Sequence, residues 1–223
     1  DSSVMNYDPE ETKRKATVGT SLAALEYKDH KINLLDAPGF DDFLGEVYKI
    51  SGAIDMAIVT VNAQSGVEVG TEKNWAILEE AKTPRIVYLS KLDKENINLD
   101  KTMAQLKSLD SKITPVIVPW GTFDKLKGVI DLIDMKAYAY TDDKGKAIEV
   151  KDIPADMMDY AKGLREPMVE SIVECDEALM EKFFDGQEIS PAELRAALRK
   201  GLAKNDIKPL VSGMALKSIG TEN

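Results

Sequence analysis

Short apolar runs bounded by turn residues alternate, through the first half of the chain, with stretches whose apolar residues recur every three or four positions. Lys31 to Asp36, Met56 to Val61 and Arg85 to Leu89 read as strands apolar on both faces, the kind that belongs in a covered, mostly parallel sheet. Phe43, Val47, Ile50 and Ile54 predict an amphipathic helix. Glu72 to Ala81, with Trp75 and Leu78 inward, predicts a second, and Leu99, Met103, Leu106 and Leu109 a third. Strand, helix and strand in repetition imply right-handed crossovers and an α/β fold. Thr114 to Pro119 adds a short strand, and Trp75 and Tyr88 read as core. Ahead of these, Thr17 to Tyr27 and Lys31 to Asp36 flank Lys28-Asp29-His30 as a β-hairpin. Asp1 to Ala16 is polar and reads as a mobile loop.

From about Phe123 the pattern changes. Gly128 to Ile133, Lys136 to Tyr140 and Ala147 to Val150 are short strands, the last two joined by the turn Asp142-Asp143-Lys144-Gly145. Three helices follow. Tyr160, Leu164, Met168 and Ile172 mark the first, with a kink expected at Pro167. Asp176 caps the second, and Ser190-Pro191-Ala192-Glu193 opens the third with a Ser cap, a Pro in the first turn and a Glu three residues on.

Composition narrows the classes. The 223 residues, 43% hydrophobic and 30% charged, are those of a globular protein of one or two domains. No stretch approaches the length that spans a bilayer. The net charge of -10 argues against a broad nucleic-acid surface. The single cysteine, Cys175, excludes an intramolecular disulfide and fits a buried thiol in a reducing compartment. The only histidine, His30, lies about 20 Å along its strand from the end at Asp36 and reads as a turn residue.

Three strand ends carry candidate chemistry. Asp36-Ala37-Pro38-Gly39 places a metal-holding carboxylate at the carboxyl end of a strand, where open α/β sheets bind ligands. Gly39, lacking Cβ, lets its N–H approach an anionic oxygen; an ordinary turn explains the same four residues equally well. Ser90-Lys91-Leu92-Asp93 follows the third strand, and Ser212-Gly213-Met214-Ala215-Leu216-Lys217 follows Lys208-Pro209-Leu210-Val211. A carboxylate at Asp93 can accept both adjacent N–H donors of guanine, which adenine does not offer, while the Lys91 stem packs along the base. In isolation the tetrapeptide is better read as an acidic helix cap after a strand.

Together and in this order, these ends resemble the phosphate turn, the Asn-Lys-x-Asp motif and the Ser-Ala-Leu/Lys loop of translational GTPases. Elongation factor G is similar, and its elongation-factor-G-like branch more so, because Asn6-Tyr7-Asp8-Pro9-Glu10-Glu11 matches the first switch of that branch. The resemblance runs from about Asn6 to Gly220. It implies a P-loop-NTPase-like, mostly parallel sheet over residues 1–122 and 207–223, with an inserted α+β subdomain at 123–206. It implies GTP or GDP as ligand, held by Asp36, Gly39, Lys91, Asp93, Ala215 and Leu216, with the Ala215 N–H on the guanine carbonyl. It further implies Mg²⁺ served by Asp36 and by the hydroxyl of Thr17, which on its own reads as a strand former. The ribosome, stalk proteins included, and the cytoplasm follow from the same resemblance. A basic face of Arg195, Arg199, Lys200 and Lys204 is the insertion's candidate contact, a solvated face the plainer reading.

The departures are Phe40, where elongation factors place a water-orienting His, Ser90 for Asn, and Met214 for Ser. They leave open a weak or non-hydrolysing paralogue that serves as a binding module. The sequence contains no Gly-x-x-x-x-Gly-Lys-Ser/Thr. The expectation is therefore a piece of a longer protein whose phosphate loop precedes Asp1, folded around an incomplete sheet and unable to hydrolyse GTP alone.

Overall fold

The computed structural model describes residues 5–141 and 147–220, so the expected turn at Asp142 to Gly145 lies outside the described residues. The chain forms two compact units, Asp1–Asp55 with Val69–Thr83, and Met56–Glu68 with Pro84–Asn223.

In the first unit, α1 (Pro9–Arg14) begins behind Asp8, whose carboxylate accepts from the Glu10 N–H at 2.7 Å. The expected loop thus contains a helical turn, because Asp-Pro-Glu-Glu supplies a cap, a first-turn Pro and first-turn acids. The strands β1 (Ser21–Tyr27) and β2 (His30–Asp36) pair antiparallel, from Tyr27 opposite His30 to Ser21 opposite Asp36. Lys28 and Asp29, at φ +47° and +61°, make the two-residue turn that matches strand twist. His30 is therefore the first residue of a strand. β2 also departs from the expected place in the parallel sheet: the tight turn gives it a local partner, and Ile32 and Leu34 are exposed. The helix α2 (Leu44–Ser51) packs on α3 (Val69–Glu80), in which Trp75, Ile77 and Leu78 are buried.

The second unit holds two sheets. β3 (Ala57–Asn62), β4 (Arg85–Ser90), β5 (Ile113–Pro115) and β10 (Lys208–Ser212) form a parallel sheet in the order β3-β4-β10-β5. β6 (Ile117–Trp120), β7 (Gly128–Asp131), β8 (Lys136–Tyr140) and β9 (Ile148–Asp152) form an antiparallel meander. The single strand expected over Thr114 to Pro119 is therefore two. Val116 is the junction, its N–H donating to Leu210 of β10 while its carbonyl accepts from Leu132. Pro119 is tolerated because β6 lies at an edge.

Helix α4 (Leu99–Leu109) crosses between β4 and β5. The helices α5 (Ala155–Val173), α6 (Glu177–Phe184) and α7 (Pro191–Ala203) follow the meander, and α5 runs through Pro167 without a break in its span. Met168, Ile172, Leu179, Leu194 and Ala197 of these helices join Val118, Val129, Ile130 and Ile207 in one buried core. The cap signals read from the sequence are all made, Asp176 accepting from Ala178 and Leu179, and Ser190 closing a reciprocal box with Glu193.

β10 enters the sheet through an ion pair. The Lys208 ammonium, almost wholly buried, lies 3.0 Å from the Asp110 carboxylate at the end of α4. Burial works to raise the Asp110 pKa, but the Lys112 N–H and the Lys208 ammonium together hold it below its ordinary value. Removing Asp110 takes this carboxylate away from a buried ammonium. Asp110→Ala is expected to lower unfolding stability by about 3 kcal/mol in urea titrations, and Asp110→Leu combined with Lys208→Met to recover most of that loss.

Candidate functional site

β4 and β10 are hydrogen-bonded neighbours, so their carboxyl ends bring two loops together that are over a hundred residues apart in sequence. Beyond β4, Leu92 is fully buried and anchors the first loop, while Lys91 just before it is exposed at φ +58°. Asp93 is partly exposed, 3.7 Å from Lys94, and its carboxylate is open to a ligand. The Ser90 hydroxyl donates to the Val61 carbonyl at 3.1 Å, so it ties β4 to β3. The Asn expected of the family is thus replaced by a strand-to-strand brace.

Beyond β10, the Gly213 N–H donates to Leu89 at 3.1 Å, and Met214 and Ile219 exchange N–H···O bonds at 2.8 and 3.1 Å. These bonds close a small loop containing a single 3-10 turn, Ala215–Lys217. The turn's own bonds come from the Lys217 and Ser218 N–H groups, which leaves the amide of its first residue, Ala215, outside the turn's ladder. Leu216 is exposed. Asp93, Phe123, Met214 and Lys217 line a cleft of about 330 Å³ beside this loop. Phe123 is held there by its N–H, which donates to Leu92 at 2.7 Å.

The first unit carries the other candidates. The Thr17 hydroxyl lies 3.2 Å from Asp36 Oδ2 and 3.2 Å from Asn6 Oδ1. Thr17 and Asp36 are thus brought together across nineteen residues. Three oxygen donors, one of them a carboxylate, suit a hard cation that keeps several of its waters, so the residues fit Mg²⁺. Glu11 fixes this segment: its carboxylate, buried, accepts from Val18 at 2.8 Å and Gly19 at 3.2 Å. Those two N–H groups, Val18 first, hold its pKa below the ordinary 4.5. Gly39 follows Pro38 at the end of β2 with its surface exposed, and its carbonyl lies 3.2 Å from where a Cβ on Gly70 would stand. Phe40 next to it is exposed.

An α/β fold with base-type loops at adjacent strand ends, and a Thr-Asp oxygen pair before a Pro-Gly corner, defines a domain of the GTP-binding class. The chain belongs to one family within it, that of the Elongation factor Tu GTP binding domain, whose model matches residues 1–223. It is 40% identical to the Elongation factor G-like protein of Thermotoga maritima, over all of this chain and 32% of that protein. A crystal structure of a Thermus thermophilus protein superposes with a TM-score of 0.87 at 33% identity, over 97% of this chain and 32% of the other. The chain thus spans about a third of the length of these relatives. Family membership implies binding of a guanine nucleotide.

Sequence reasoning missed Glu11, Phe123 and Tyr140, whose hydroxyl meets the Gly220 N–H at 2.7 Å. Glu11 stood inside the motif that suggested the first switch. Nothing local pointed to the other two. The expected basic face of α7 is partly consumed: Arg195 makes a two-pronged pair with Asp134 at 2.6 and 2.8 Å, and Lys200 pairs with Asp176 at 2.7 Å. Cys175 is half-buried, and burial pushes its thiol pKa up.

Two outcomes follow from this geometry. Because the Glu11 pKa is lowered on folding, its contribution is complete above pH 4.5 and is lost as pH falls through the folded value. Amide exchange should show Val18 and Gly19 protected at neutral pH and progressively released below about pH 4, whereas Glu11→Gln should weaken their protection at every pH. A Cβ on Gly213 would stand 2.5 Å from the Ile219 carbonyl and 2.6 Å from the Tyr88 hydroxyl. Gly213→Ala should therefore displace the loop and cost about 2 kcal/mol in urea titrations.

Proposed function

We propose that the chain reads the guanine base of GTP and GDP through Asp93, Lys91 and Ala215, in a longer protein that hydrolyses GTP and couples switch movement to a step on the ribosome in the cytoplasm. The observation that carries this is the β4–β10 pairing, which sets the Asp93 loop beside the Ala215 loop. The Asp93 carboxylate accepts the ring N–H and exocyclic amine of guanine, the Ala215 N–H, with that of Leu216 beside it, faces the base carbonyl, and the Lys91 stem covers the base plane. Adenine, with an amine where guanine has the carbonyl and no ring N–H, fails both tests.

Asp36 and the Thr17 hydroxyl would hold Mg²⁺ when nucleotide is bound; the ion supplies charge neutralisation to the phosphates. In this reading Thr17 would be available to the ion when a triphosphate is bound, and the Gly39 N–H would be available to the terminal phosphate. The Phe40 ring cannot donate or accept a hydrogen bond, so either other groups order the attacking water or hydrolysis is slow. The family match favours this GTPase reading over a non-hydrolysing binding module.

The test is a titration with fluorescent GDP, competed by GDP, ADP and xanthosine diphosphate. GDP should displace the label and ADP should not. Asp93→Asn, which turns an acceptor pair into one acceptor and one donor, should shift preference toward xanthosine diphosphate by about tenfold or more. Equal displacement by ADP, or a preference indifferent to residue 93, would overturn the reading.

A further inference from the structure

The Ala215 loop is anchored at both ends, and the second anchor comes from the antiparallel meander. At its start the Gly213 N–H bonds to Leu89, immediately before the Asp93 loop. At its end the Gly220 N–H donates to the Tyr140 hydroxyl at 2.7 Å, eighty residues away on β8. Gly220 holds φ +74°, a conformation that turns the chain back, and a Cβ there would stand 2.5 Å from the Ser212 carbonyl. Beneath the loop, the Tyr88 hydroxyl is buried without a hydrogen-bond partner among the described residues, and it leaves no room for a side chain on Gly213. The loop is therefore seated on one tyrosine and tied by another.

We propose that Tyr140 is a positioning residue for guanine recognition, fixing the distance and angle at which the Ala215 N–H meets the base carbonyl. This rests on the reading of the loop as the base site. Met214 and Ile219 close the loop internally and are buried in the core with Val129, which seats its middle. Its far end is fixed by a further bond. Tyr140 supplies it from the terminal residue of β8, whose register with β7 is set by four paired positions, Gly128 opposite Ala139 to Asp131 opposite Lys136. The meander thereby becomes the reference against which the base loop is held, and a shift of β8 would change affinity for guanine without touching the nucleotide.

The test compares GDP with 6-thio-GDP, which keeps both donors for Asp93 but offers the loop a sulfur, a weak acceptor. Wild-type chain should prefer GDP to ADP and to 6-thio-GDP. Tyr140→Phe keeps the ring and removes the hydroxyl; it should weaken GDP by about fivefold while leaving 6-thio-GDP nearly unchanged, so that the preference between them collapses. Amide exchange gives an independent readout: the Gly220 N–H should be protected in wild type and exchange at least about tenfold faster in Tyr140→Phe, with amides of β7 unchanged. If Tyr140→Phe weakens both ligands equally or neither, the positioning role is overturned while the base site stands. An unprotected Gly220 in wild type overturns it as well. If wild type does not distinguish GDP from ADP, the base site itself fails and the proposal falls with it.

Discussion

The placement of β10 between β4 and β5 is the constraint on which the second unit depends. A strand near the end of the chain hydrogen-bonds in parallel with two strands that lie about a hundred residues or more earlier, Leu210 opposite Val87 on one side and Lys208 opposite Ile113 on the other. Until it is inserted, β4 and β5 have no link, the core around Val118 and Ile172 lacks Ile207, and the Asp93 loop has no companion. Such long-range parallel pairing repays its loop-closure entropy late. The buried Lys208–Asp110 pair sits where β10 begins, so a misplaced strand would bury an ammonium without a partner.

The same insertion shows how the meander and its helices are tied to the loop that follows β10. The chain leaves the parallel sheet at Val116, builds β6 to β9 and the three helices, and returns as β10. Its excursion is tied back by Tyr140 at the loop that follows. The meander also shares its core with Met214 and Ile219 of that loop.

The first unit shows a different economy. Its strands are joined by a two-residue turn, and the segment between α1 and β1 is held by a carboxylate that accepts two backbone N–H groups. Thr17 and Asp36 meet through a hydroxyl bond that costs little to break.

What the sequence determined by itself was local. The hairpin turn at Lys28-Asp29, the caps at Asp176 and Ser190, the helices marked by Val47, Trp75, Leu106 and Met168, and the parallel strands at Val59 and Val87 all follow from periodicity and capping chemistry within a few residues. The motif residues Asp36, Lys91, Asp93 and Ala215 were legible because their order matched a known pattern. What only the tertiary structure decided was which distant groups meet. Val116 breaks one apolar run into strands of two sheets because Leu210 and Leu132 claim its two backbone groups. Glu11 reaches Val18, Phe123 reaches Leu92, and Tyr140 reaches Gly220 through backbone bonds that leave no signature at either end of the sequence. A backbone N–H donates to any suitably placed acceptor, so its choice is fixed by the fold and not by the residue that carries it.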